Sequence, residues 1–289
     1  IVEEGQGSGG ASCTNGGQRV NVFDRLTVRS TATFVGQGLH SGSPVTASIH
    51  PGTNGIAFRS GNNRWRAEPS EIKETVRCTR LGDISTIEHL MAALAGLGLT
   101  DAEVEVTGGE LPAAGGASKV FVEGLRSVGL EKIGSIEVNP PYARVFVKCH
   151  ERSLAIAAGN GRWRYEFVTE ECFPGTQSFE ANLSPEVFSK EIAPARTIAF
   201  ADEIESARRA GLGLGLDEST AVIIGRDGYE NEALFEDEAA RHKLLDLIGD
   251  LYLSGIPVQA IDVIAERSGH SANVEAAARL AQATSIVRT

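Results

Sequence analysis

The chain has 289 residues, 42% apolar and 22% charged, which is long enough to bury a large core and reads as two globular domains. Its net charge of −11 and pI near 5.1 exclude a general binder of nucleic acid or anionic membrane, and an anionic small substrate would have its charge met locally. The four cysteines, Cys13, Cys78, Cys149 and Cys172, form no Cys-x-x-Cys pair, so a zinc ribbon and a disulfide framework are excluded and a reducing compartment is expected.

The start, at Ile1 rather than Met, reads as trimmed or processed. Residues 1–25 are expected to be a flexible lead-in, rich in Gly and Ser over 5–17. Gly5-x-Gly7-x-x-Gly10 spells a dinucleotide fingerprint, but no strand precedes it and no helix follows, so it is set aside. A strand-like run over 27–35, a turn-rich stretch and a second strand over 44–50 predict a hairpin. Short strands are expected over 56–60 and 75–80. A helix over 86–97, stopped by Gly96 and Gly98, precedes a strand over 102–106 and a helix over 119–127.

Residues 130–137 read as a boundary, after which the pattern restarts. Strands follow over 143–148, 153–158 and 163–168, then helices near 185–191 and 201–210. Strand 221–224, a helix over 242–253, strand 258–265 and a last helix from about 272 complete the chain. No apolar run reaches the roughly 18 residues needed to span a bilayer.

Two helices carry the candidate chemistry. In Ser85-Thr86-Ile87-Glu88-His89-Leu90, a Glu and a His open an otherwise apolar helix. His242, Asp246 and Asp250 recur every four residues and share one helical stripe. His89, His242 and Asp246 could thus supply three ligands to one ion, and a His/His/carboxylate set suits catalytic zinc, with iron a second option. Glu88 would be placed as a base towards activated water. Bland readings stand beside these. Ser85-x-x-Glu88 also spells a capping box, His89 could be a satisfied core residue, and the stripe could be a solvated helix face. His270, in Ser268-Gly269-His270-Ser271, lies on a loop after a strand, where Asp250 could orient it and keep it charged. His40, His50 and His150 show no partner spacing. The Gly211 to Gly215 glycines fit either a ligand approach or a C-cap.

His89 and His242 are 242 − 89 = 153 residues apart, roughly half the chain. Each sits at a helix start followed by a Gly stop and a strand. A weak internal duplication is therefore expected, with a site at the seam.

Taken together, several segments resemble the family of UDP-3-O-acyl-N-acetylglucosamine deacetylases, zinc hydrolases of lipid A biosynthesis. The segments are Gly38-Leu39-His40-Ser41-Gly42, Ile84 to Leu94, Gly175-Thr176-Gln177-Ser178-Phe179, Ile192 to Thr197, Arg241 to Asp250, and Ser268-Gly269-His270. The resemblance implies an α+β fold of two similar α/β sandwich domains, here 26–133 and 134–289, with the active site at their interface. It implies zinc on His89, His242 and Asp246, Glu88 as general base, and His270 as general acid backed by Asp250. Thr197 would help hold the oxyanion, Lys243 would contact substrate, and Ile198, Gly215 and Arg267 would line the substrate path. The implied reaction is removal of acetyl from an acylated UDP-GlcNAc. A bacterial-type cytoplasmic location (organellar in a eukaryote), a monomer, no nucleic-acid partner and no stable membrane insertion go with it. The alternative is a catalytically weakened relative that only binds metal or nucleotide-sugar. A metal-free structural protein is a third reading.

The chain departs from the family pattern at Ala114-Gly115-Gly116-Ala117, usually Met-Asp-Gly-Ser. It departs again at Leu216-Asp217, Thr220, Leu234 and Ile198, and at Arg267, which keeps the charge of the usual Lys. These changes bear on substrate fit and efficiency more than on the type of reaction.

Overall fold

The computed structural model describes residues 14–15, 18–19, 21–139, 144–170 and 172–289. Most of the expected lead-in, with the discarded glycine pattern, lies outside them. Strands β1 (Thr14–Asn15) and β2 (Gln18–Arg19) pair with each other, and β3 (Asn21–Val28) follows. Residues 21–25, counted with the lead-in, therefore belong to a strand. The run expected over 27–35 is broken by a bend at Arg29 and Ser30, after which β4 (Ala32–Gln37) begins.

β5 (Pro44–Pro51), β6 (Ile56–Ser60) and β7 (Asn63–Arg66) come next. The strand expected over 75–80 is instead two short pieces, β8 (Ile72–Glu74) and β9 (Arg80–Leu81), with 75–79 irregular between them. Helix α1 (Glu88–Leu97), β10 (Ala102–Thr107) and α2 (Lys119–Ser127) complete the first half. All ten residues of α1 are buried, so its uniformly apolar sequence marks a central helix rather than an amphipathic surface one.

The stretch read as a boundary is the ten-residue strand β11 (Leu130–Asn139). Then come β12 (Val145–Cys149), β13 (Arg152–Ala158), β14 (Arg162–Val168) and β15 (Thr176–Asn182). A helical turn, α3 (Pro185–Val187), continues as a π-turn over Phe188–Ile192. Strand β16 (Thr197–Phe200), α4 (Ile204–Arg209) and β17 (Ala221–Ile224) follow. Helix α5 (Glu238–Leu251) starts four residues before the expected His242, and β18 (Ile261–Glu266), α6 (His270–Ala283) and β19 (Ser285–Arg288) end the chain.

This mixed α/β fold is built on a repeated plan. One five-stranded sheet runs β4-β5-β10-β6-β7 and the other β12-β13-β18-β14-β15. Both have the same sense of pairing in order: antiparallel, antiparallel, parallel, antiparallel. Period-two patterning produces each inner face, with Val45, Ala47 and Ile49 on β5 and Val263 and Ala265 on β18 buried. A third sheet, β19-β11-β3, ties both ends of the described chain to the middle.

Helices α1 and α2 pack together, α5 and α6 pack together, and α1 lies against α5. One continuous apolar cluster runs through both halves, including Leu94, Phe121, Trp163 and Leu247. Burying each such side chain contributes roughly 1.5–3 kcal/mol, so the helix seam is part of the core rather than a loose domain contact. No helix among the described residues is long and apolar enough to cross a membrane.

Candidate active site and metal centre

The seam between α1 and α5 is tight because Gly249 has no side chain. A Cβ there would collide with the Glu88 carbonyl oxygen. This approach carries His89 of α1 to the stripe on α5. The His89, His242 and Asp246 ligand atoms lie within 4.8 Å of one another, and all three residues are buried. His89 Nε2 and His242 Nε2 are 3.6 and 3.5 Å from Asp246 Oδ1.

His242 Nδ1 lies 3.1 Å from the Ala195 carbonyl. A carbonyl only accepts, so Nδ1 carries the proton and Nε2 offers its lone pair. Burial drives the His242 pKa down to about 4, which keeps the ring neutral and fit to ligate. Asp246 Oδ2 accepts from Lys243 Nζ at 2.9 Å, while Oδ1 is buried without a hydrogen-bond partner. Burial opposes the Asp246 charge, but His242 and Lys243 hold its carboxyl well below the usual range. A buried, unpartnered carboxylate oxygen facing two imidazole nitrogens is costly unless a cation meets it. The donor set therefore fits a divalent ion such as zinc.

Glu88 is not a capping residue. Ile87 holds the N-cap position, the Ser85 N–H donates to the Gly109 carbonyl, and Glu88 Oε2 accepts from the Thr79 N–H at 3.0 Å. Burial raises the Glu88 pKa against the pull of His270 and His89. Two residues earlier, Thr86 sits in the left-handed region at φ +62° and donates its hydroxyl to Glu110 Oε1. Glu110 also accepts the N–H groups of His40 and Ser41. One buried carboxylate thus joins the turn after β4 to the strained entry of α1.

His270 opens α6, and its Nδ1 donates to Asp250 Oδ2 at 2.9 Å. Asn273 Nδ2 donates to the same oxygen and the Thr79 hydroxyl to Oδ1. Burial works against a charged ring, but the Asp250 carboxylate overrides it and lifts His270 to about 9. Tyr165 donates its hydroxyl to the Ser268 carbonyl, fixing the loop that carries His270.

The metal-cluster residues, Glu88 and His270 line a cavity of about 450 Å³, with Asp250 and Thr79 behind them. Glu88, His89, His242, Lys243, Asp246, His270 and Thr197 share its polar part, and Ile198, Phe200, Ile204, Ala207, Leu212 and Leu216 provide apolar wall. Of the expected substrate positions, Ile198 lines the cavity while Gly215 and Arg267 do not. Gly215 packs against the Gly38 carbonyl, and Arg267 forms surface ion pairs with Glu151 and Glu170. The Thr197 hydroxyl donates to the Gly116 carbonyl at 2.9 Å. Gly116 in turn leaves no room for a Cβ beside the Thr220 carbonyl, so the backbone of the 114–117 turn packs directly against Thr220 next to Thr197.

Several contributors have no spacing in the sequence that would assign them a role. His40 lines the cavity with Nε2 buried and unpartnered, and its ring nitrogen Nδ1 faces the Gly213 N–H at 3.4 Å. Arg196 pairs with the fully buried Glu238 at 2.9 Å, anchoring the start of β16 to the start of α5. Asn273 could have been noticed, since it stands one helical turn after His270.

The family model described as LpxC, UDP-3-O-acyl N-acetylglycosamine deacetylase, matches residues 25–282. The chain is 32% identical over 273 residues to the UDP-3-O-acyl-N-acetylglucosamine deacetylase of Leptospira biflexa serovar Patoc, covering 89% of both chains. It is 34% identical over 280 residues to the enzyme of the same name from Brucella melitensis, covering 89% of this chain and 94% of that one.

Proposed function

The chain belongs to the UDP-3-O-acyl-N-acetylglucosamine deacetylase family, and from that premise we propose that it hydrolyses the N-acetyl group of an acylated UDP-GlcNAc, releasing acetate, in lipid A biosynthesis. The observation that carries this reading is the convergence of two opposed proton-transfer groups, Glu88 and His270, on the His89–His242–Asp246 cluster in one cavity. A protein that only bound a ligand would have no use for such a pair.

His89, His242 and Asp246 are the residues that would hold the ion, zinc by preference for this donor set and iron as the second choice. When bound, the ion supplies Lewis-acid activation of water and of the amide carbonyl. Glu88 accepts the proton that the attacking water loses as the new C–O bond forms. Its pKa, raised by burial, brings it closer to that task. His270, charged through Asp250, gives a proton to the amine nitrogen as the C–N bond breaks. Acetate and the free amine of the sugar leave. Lys243 places a positive charge beside Asp246 and the reacting amide. Thr197 can donate to the carbonyl oxygen once its hydroxyl turns from Gly116. The apolar wall around Ile198, Phe200 and Leu216 suits the acyl chain.

The repeated sheet order also supports reading 26–133 and 134–289 as duplicated units, with β11 shared across the seam. The test is direct: the zinc-loaded chain is incubated with UDP-3-O-acyl-GlcNAc and acetate is measured. Stoichiometric acetate and free amine support the reading, and an intact amide after prolonged incubation overturns it.

A further inference from the structure

Thr79 stands just before β9 and is completely buried. Each of its polar groups is engaged, and together they join two helices. Its N–H donates to Glu88 Oε2 at 3.0 Å, and its hydroxyl donates to Asp250 Oδ1 at 2.6 Å. Its carbonyl accepts from the Ile87 N–H, at the entry of α1, at 3.2 Å. We propose that Thr79 is a positioning residue that couples the two proton-transfer arms of the site, holding one oxygen of Glu88 with its N–H and one oxygen of Asp250 with its hydroxyl. The inference rests on the roles given above to Glu88 and His270.

The reasoning concerns carboxylate orientation. Asp250 Oδ2 already serves both His270 Nδ1 and Asn273 Nδ2, each at 2.9 Å. The Thr79 hydroxyl is the donor that holds Oδ1 and so fixes the plane of the group. Without it, Asp250 can swing about its Cβ–Cγ bond and the His270 contact loosens. At Glu88, the Thr79 N–H occupies Oε2, and among the described residues no donor reaches Oε1, which is left to take a proton. A single backbone segment thus holds Glu88, which lines the cavity, and Asp250, which stands behind the cavity-lining His270. Reaction rates respond steeply to such placement, since a displacement near 1 Å can cost about a hundredfold.

The hydroxyl and the N–H can be separated by mutation. Thr79→Val keeps the shape and the N–H to Glu88 but removes the hydroxyl, whereas Thr79→Ser restores it. The charged and titratable groups facing His270 are Asp250 and Asp246 from α5, Glu88 from α1 and His40 from the turn after β4. Of these, Thr79→Val loosens Asp250 alone.

The experiment compares the zinc-loaded parent, Thr79→Val and Thr79→Ser by kcat, KM, rate against pH, and NMR titration of the His270 ring. In Thr79→Val, kcat is expected to fall about tenfold or more with KM little changed. The alkaline limb and the His270 midpoint should both move about one unit lower, as the ring loses part of its partner. Thr79→Ser should recover both. A Thr79→Val protein with parental kcat and midpoint overturns the proposal, as does a Thr79→Ser protein as impaired as Thr79→Val. If Thr79→Val fails to fold, Thr79→Ala read against Thr79→Ser makes the same comparison. If the parent releases no acetate, the functional reading fails, while the His270 midpoint still decides the coupling.

Discussion

Gly249 on α5 and Glu88 on α1 touch backbone to backbone, so that a methyl group added to Gly249 would strike the Glu88 carbonyl oxygen and lie 3.1 Å from the Ala92 nitrogen. That contact sets the separation of the two helices, and with it the distance from His89 to His242 and Asp246. Gly249→Ala should force the helices apart, costing about 1–3 kcal/mol of stability and weakening metal retention. Thermal unfolding and metal analysis check both effects. An alanine variant with parental melting and full metal content would show that the helices can shift without disturbing the cluster.

His242→Ala should abolish stoichiometric zinc, because two remaining ligands cannot hold the ion against a chelator. Chelation of the parent should stop acetate release, and added zinc should restore it. Full metal content in His242→Ala would remove this residue from the ligand set.

Glu88→Gln should fold normally. The side-chain oxygen of Gln can accept the Thr79 N–H as Glu88 Oε2 does. It cannot accept a proton in the reaction, so turnover should fall by roughly a hundredfold or more. Near-parental acetate release would assign Glu88 a structural role only.

Rate against pH should fall on the alkaline side as His270 loses its proton, near its raised value of about 9. A pKa raised in the folded state means that the charged ring stabilises the fold. That contribution is complete below about 6.5, the ordinary histidine value, and disappears as pH rises through the folded value. His270→Ala should remove the alkaline limb or most of the activity while zinc stays bound. An unchanged profile in that variant would exclude the ring from proton transfer.

Leu216 lines the cavity beside Gly213, at a position where the resemblance drawn from the sequence implies a Gly. Leu216→Gly should widen the range of acyl lengths accepted, with turnover of the best substrate little changed, since a side chain that excludes longer chains is lost. Identical chain-length profiles would show that Leu216 does not limit the acyl path.

The helix-borne part of the site was legible because a helix turns local spacing into geometry. His242 and Asp246, four residues apart, had to share a face whatever the rest of the chain did. The paired Glu88 and His89 likewise had to leave α1 at adjacent angles. The Ser85-x-x-Glu88 spelling left a capping role open beside the base for the opposite reason. Local pattern offered a cap, but the actual donor to Glu88 is Thr79, which sits on a separate segment nine residues away.

Period-two alternation over short apolar runs marked the inner strands β5, β10, β13 and β14, and the restart of that pattern suggested duplication. The polar edge strands β7 and β15 have no apolar run to mark them, and residues 130–137 looked like a boundary because charges and Gly134 interrupt their alternation. Their identity as β11 depends on partners at both ends of the chain, β3 and β19. What the sequence determined by itself was therefore residue chemistry and short-range periodicity. Tertiary structure decided which periodic pieces meet: Thr79 to Asp250 across 171 residues, Arg196 to Glu238 across 42, and α1 to α5 at Gly249. Such contacts depend on burial and on the absence of a Cβ at one crossing point, and no local spacing encodes either.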